Sequence, residues 1–109
     1  MLKALFGSQS SERILIFIYA REKGYPSEIA EFYQANLFSI QQKMDKLEAG
    51  GILVSFTTGR TRVYSFNPRY PFLNELKTLL LKALDYYPED IKELLLMNRR
   101  RPRRRGKTI

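Results

Sequence analysis

Residues 28–66 read EIAEFYQANLFSIQQKMDKLEAGGILVSFTTGRTRVYSF, and this stretch decides the fold. Ile29, Phe32 and Tyr33 mark a short helix over residues 28–33, with Ser27 suited to cap it and Ala30 small enough to let another helix approach. Asn36 is a good N-cap for the next helix. Ile40, Met44 and Leu47 then recur at spacings of four and three, one buried stripe on a helix over residues 36–49. Gly50-Gly51 ends that helix, since glycine tolerates the left-handed conformation that follows a helix C-terminus. ILVSF and TRVYSF are two short β-prone runs within residues 52–66, joined around TTGR, where Gly59 supplies the turn.

Toward the N-terminus, Ser8 and Ser10 can cap a first helix, and Glu12 is placed well against its dipole. That helix runs to about Arg21 or Glu22 and ends near Gly24. Its run ILIFIYA is rich in β-branched residues and fits a strand on propensity alone. Helix is preferred: Ile14, Phe17, Ile18 and Arg21 share one stripe, and the length from Ser10 to Lys23 exceeds a typical strand. Toward the C-terminus, Asn67-Pro68 closes the second strand. Tyr70-Pro71 opens a fourth helix that reaches about Tyr87, and Pro88 starts a fifth carrying Ile91, Leu94, Leu95 and Met97. The expected class is α+β, mainly α with one small antiparallel β-hairpin.

Composition removes several kinds of chemistry. The chain has 109 residues, 44% of them hydrophobic, which suits a single body with one core. Cysteine and histidine are both absent, so thiolate and imidazole metal sites, Ser-His or Cys-His catalysis and disulfides are excluded. No catalytic constellation stands out, and the reading is of a non-enzyme without cofactor or metal. The longest apolar run, Ile14 to Ala20, is too short to span a bilayer, and no signal peptide is evident, so a cytoplasmic location and no membrane are expected. The formal charge of +8 is uneven. Residues 99–109 hold Arg99, Arg100, Arg101, Arg103, Arg104, Arg105 and Lys107 with no acid, which leaves 12 basic and 11 acidic groups in residues 1–98. The expectation is a nearly neutral folded body and a polycationic tail, disordered in the free protein, that attracts polyanions.

The segment from Glu28 to Leu47 resembles the helix-turn-helix of small prokaryotic winged-helix regulators, broadly the ArsR-like and MarR-like groups. Ala30 and Ile40 match the motif's small residue and the β-branched residue ten positions later. LEAGGIL is similar to the stretch that leads into the wing, GRTRVYSFNP to the wing itself, and LFGSQSSERIL to the opening of many such regulators. The resemblance covers residues 2 to about 68. It implies a winged helix-turn-helix over 1–68, packing or dimerising helices over 69–98, and the basic tail over 99–109. It also implies a transcriptional regulator that binds double-stranded DNA as a homodimer through its C-terminal helices, to which Leu76, Leu80, Leu84 and Tyr87 would contribute. Three departures matter. Gln34 stands where the turn often has glycine. Leu37 and Phe38 occupy positions that are usually polar, and either touch a thymine methyl or pack on the preceding helix. The Cys and His ligands of metal-sensing relatives are missing, so metal sensing does not carry over.

The residue types suit DNA. An α-helix fits the major groove and reads base edges near its N-terminus. Gln42 and then Gln41 are the expected readers, since glutamine pairs bidentately with adenine; Ser39 contacts a base or a phosphate. Lys43 and Lys46 would hold phosphates. Arg60, at the glycine turn, suits a minor groove, with Arg62 beside it on the hairpin. The tail arginines would track phosphates or a minor groove. A polar helix face is also what any surface helix shows, and a polycation does not choose among polyanions. The competing reading is therefore a winged-helix interaction module whose tail binds RNA or an acidic protein.

Overall fold

The computed structural model describes residues 2–96. Their order is α1 (Lys3–Phe6), α2 (Gln9–Arg21), α3 (Pro26–Tyr33), α4 (Leu37–Ala49), β1 (Leu53–Thr58), β2 (Thr61–Phe66), α5 (Leu73–Asp85) and a last helical run, α6, over residues 89–96. The expected class holds: helices with one two-stranded antiparallel sheet. Among the described residues no helix is long and apolar enough to cross a membrane.

The run ILIFI forms the centre of α2. Ile14, Leu15, Ile16, Phe17 and Ile18 are all buried, because α1, α3, α4, α5 and β2 pack around this one helix. A helix buried on every side loses the amphipathic stripe, so the stripe expected from Ile14, Phe17, Ile18 and Arg21 describes only part of its contacts. Ser8 caps α2 by accepting from the Ser11 N–H at 3.1 Å. The helix ends at Arg21, as expected. Glu22 takes the left-handed conformation at φ 77°, two residues before Gly24. Gly24 instead serves the sheet. Its backbone bonds in both directions with Tyr64 (3.0 and 2.8 Å), and an added Cβ would sit 3.0 Å from the Phe17 ring. Close approach of β2 to α2 therefore favours glycine there, since any side chain would press on the Phe17 ring.

α1 was not expected. It is four residues long, and the residue before it makes a tertiary anchor: the Leu2 N–H donates to Glu12 Oε1 at 2.9 Å. Tyr87 Oη donates to Glu12 Oε2 at 2.6 Å. Burial opposes ionisation of Glu12, yet the hydrogen bonds from Tyr87 and Leu2 are among the influences that hold its carboxyl below the usual range. Burial and the same bond push the Tyr87 phenol up.

The C-terminal helices correct two expectations. Proline does not open α5; Tyr70 to Phe72 form a turn and the helix starts at Leu73. Leu80 and Leu84 are buried in the chain's own core, with Leu76 and Tyr87 packed against it, so these four residues are not an external face. Among the described residues of this part, the exposed large apolar side chains are Phe72, Leu81, Tyr86 and Leu94. Arg21 ties α6 to α2. Its Nε and Nη2 donate to the carbonyls of Leu95 and Leu94 at 3.2 and 2.9 Å, and its guanidinium lies over the rings of Phe17 and Phe32. The tail residues Arg99, Arg100, Arg101, Arg103, Arg104, Arg105 and Lys107 lie outside the described residues.

Candidate nucleic-acid interface

The turn between α3 and α4 keeps a left-handed residue without glycine. Gln34 sits at φ 55°, ψ 46°, and its Nε2 donates to the Glu31 carbonyl at 2.9 Å. A non-glycine residue there costs on the order of 1 kcal/mol, which the local hydrogen bond partly offsets. The turn delivers the chain to Asn36, whose Oδ1 accepts from the Ser39 N–H at 3.0 Å and so starts α4. Ile40 and Met44 are buried and Leu47 is half-buried, as the stripe expected from their spacing requires.

Everything opposite that stripe faces outward. Ser39, Gln41, Gln42 and Lys46 are exposed, and Lys43 is half-buried. Leu37 is 48% exposed and Phe38 69%, so neither packs away on α3.

The hairpin pairs Leu53 with Phe66 through to Thr58 with Thr61, so both threonines of TTGR belong to a strand and Gly59-Arg60 is a two-residue turn. Gly59 is at φ 62°, the positive value that a type II′ hairpin turn needs at its first position. Arg60 stands exposed beside it. A cleft of about 320 Å³ joins the two elements: Leu37 and Gln41 of α4 line it together with Arg60, Thr61 and Arg62, and Tyr25 and Ser27 close it from the start of α3. The Leu37–Gln41 edge of α4 and the hairpin tip thus open on one cleft.

Arg62 is engaged within the protein. Its Nε donates to Ser55 Oγ at 2.9 Å, its Nη2 lies 3.5 Å from Glu48 Oε1, and Ser55 Oγ donates to Glu48 Oε2 at 2.6 Å. One step away, Tyr64 Oη donates to Asp45 Oδ1 at 2.9 Å; burial and this bond push the Tyr64 phenol up to about 12. These contacts brace the hairpin against the last two turns of α4. Of the expected site residues, Gln41 and Arg60 line one cleft with Arg62 as a brace beside them, Gln42, Lys43 and Lys46 line a separate concavity along α4, and Ser39 is exposed at its start. Sequence reasoning missed Glu48, Ser55 and Asp45, which carry no signal until the strand register is known.

A second concavity, about 310 Å³, lies away from this side, between α2, Tyr33 of α3 and the turn from α5 into α6. There the Tyr33 hydroxyl is buried with no hydrogen-bond partner among the described residues, and burial raises its pKa. Among the described residues no group of three or more Asp or Glu side chains is gathered as a metal site would need.

No family model matches the chain, and no curated protein matches it. Solved structures do. A double mutant of ZitR from Lactococcus lactis in apo form matches over 97% of this chain and 89% of its own, with 14% identity and a TM-score of 0.54. Lactococcus lactis ZitR described as a zinc-responsive MarR family member matches over 92% of this chain and 76% of its own, with 13% identity and a TM-score of 0.51. At this identity the likeness shows a shared winged-helix fold.

Proposed function

We propose that the chain is a sequence-specific, double-stranded-DNA-binding transcriptional regulator, a cytoplasmic binding protein and not an enzyme. One observation carries the reading: Gln41 on the outer face of α4 and Arg60 at the hairpin tip border the same cleft. In this reading α4 lies in the major groove, Gln42 and Gln41 read base edges, and Ser39, Lys43 and Lys46 hold backbone or base positions. Arg60 reaches the flanking minor groove, and Arg62 keeps the hairpin at its angle. The tail, Arg99 to Lys107, adds non-specific affinity along phosphates. Two copies associate through the C-terminal helices, covering exposed side chains such as Phe72, Leu81, Tyr86 and Leu94. Half-sites then lie about one helical turn apart.

Selection of bound duplexes from a random pool tests this reading. The expected result is a motif with two-fold symmetry; Gln42→Ala relaxes its base preference, whereas Lys46→Ala weakens specific and random duplex alike. Deleting residues 99–109 should flatten the slope of log K against log[salt] by roughly 6 units if all seven tail charges reach phosphates. Failure to select any duplex ends the proposal. The exposed apolar tip formed by Leu37 and Phe38 also favours a second reading, a winged-helix module that binds RNA or an acidic protein. Competition among duplex DNA, structured RNA and heparin separates the two: the regulator discriminates, and indifference among the three leaves only the tail's charge.

A further inference from the structure

Phe38 poses a specific problem. It is the second residue of α4, 69% exposed, on a helix whose inner face already buries Ile40 and Met44. An exposed phenyl ring at the start of an ordered helix holds apolar area in reserve, which a bound partner would gain by covering it. Its position narrows what that is. Residues four apart on a helix lie one above the other, so Phe38 and Gln42 share the ridge furthest from the core, one turn or about 5.4 Å apart. The ridge becomes polar after that single ring: Gln41, Gln42, Asp45 and Lys46 are all exposed around it. A protein-binding helix face would continue apolar at the next turn. A single aromatic ring followed by amides matches instead the edge of an A·T pair in the major groove, where the only apolar group is the thymine 5-methyl.

We infer that Phe38 is a specificity-determining residue that packs on a thymine 5-methyl group, within about two base pairs of the base that Gln42 contacts. Leu37, the residue before it, is 48% exposed and lines the cleft beside Arg60. The inference rests on the DNA-binding reading above and adds the base class that the helix tip requires. It explains why two positions expected to be polar are apolar: a methyl group offers nothing to a hydrogen-bonding side chain.

The test uses the full chain and the duplex recovered from the random pool. Each thymine is replaced singly by deoxyuridine, which pairs identically and lacks only the methyl. At one thymine of each half-site the replacement should weaken binding about 4-fold, the equivalent of one lost buried methyl. Phe38→Ala should bind the unmodified duplex more weakly and lose the difference between thymine and deoxyuridine at that position. Phe38→Leu should keep part of it. Phe38 is exposed, so both variants should fold, which circular dichroism checks. Insensitivity to every replacement, or a Phe38→Ala protein as sensitive as the parent, overturns the inference while leaving the regulator reading intact. If no duplex is recovered, both fall together. Affinity for a protein or RNA partner that Phe38→Ala abolishes, with no thymine dependence, assigns the ring to that partner instead.

Discussion

α2 and α4 are both 13 residues long, and they are used in opposite ways. α2 buries eight of its residues and α4 only two. α2 is surrounded, so almost any change in its middle is felt by several neighbours. α4 is held by a single stripe, a capping asparagine at one end and the brace through Glu48 at the other, and this leaves most of its surface free for a partner. The fold's stability and its proposed recognition therefore reside on separate helices, so substitutions should divide into two classes with little overlap.

The sharpest test is to truncate one side chain on each helix. Phe17→Ala removes a fully buried ring that meets Phe32 edge-on at 5.5 Å. It should cost about 3–5 kcal/mol in denaturant unfolding. Gln42→Ala on α4 should stay within about 0.5 kcal/mol of the parent. If the two variants unfold at similar denaturant concentrations, the division of labour is wrong.

Acid sharpens the comparison next. Glu12 is the buried acid of α2, and its folded-state pKa lies below its ordinary 4.5. Its stabilising contribution is therefore fully present above about pH 4.5 and is lost as the pH falls through the lower folded value. Glu12→Gln should cost roughly 1.5–3 kcal/mol at neutral pH, the scale of hydrogen bonds to a charged group. It should also remove part of the loss of stability on acidification. An acid unfolding profile identical to that of the parent at all pH values would clear Glu12 of this role.

The same contrast explains what could be read beforehand. α4 was legible because half of it is wet: Ile40, Met44 and Leu47 stand out against polar neighbours. In α2 the neighbours of Ile14, Phe17 and Ile18 are apolar too, which is why the segment also fitted a strand and its length had to argue for helix. Gly59 announced the hairpin turn because a positive φ selects glycine. Glu22 gave no such warning, and at Gln34 only the resemblance marked a turn position that often holds glycine; both left-handed conformations are imposed by the elements on either side. Four residues of α1 carry no helical period at all, and the anchor beside them is the distant Glu12. On the interface, exposure of Ser39, Gln41, Gln42, Lys46 and Arg60 followed from position alone. The engagement of Arg62 did not, since it depends on which side chains the strand register brings opposite.

A smaller effect is expected at the joint between α3 and α4. Gln34→Gly removes the crowding of a side chain at φ 55° but gives up the bond to Glu31 and frees the unfolded chain. A net gain of up to about 1 kcal/mol should appear in thermal or denaturant unfolding, with no change in duplex preference. A loss of stability would mean that the Gln34 side chain holds the turn more than its backbone strains it.

The smallest effect on stability should come from the brace itself. The Arg62–Glu48 pair is half-open to water, so screening limits its worth to roughly 0.2–1 kcal/mol. Glu48→Gln leaves a side chain that still accepts from Ser55 but no longer draws the Arg62 charge. Global unfolding should hardly move. Amide exchange in β1 and β2 should nevertheless quicken, because the brace ties the hairpin to the end of α4, whereas exchange in α2 should be unaltered. The substitution also removes an acid and frees the Arg62 cation on the open side, so non-specific duplex binding should strengthen and its salt dependence should steepen. Unchanged hairpin exchange together with an unchanged salt slope would mean that the hairpin is held by its strand pairing and by Tyr64 alone, and that Arg62 contributes neither a brace nor a reserve of charge.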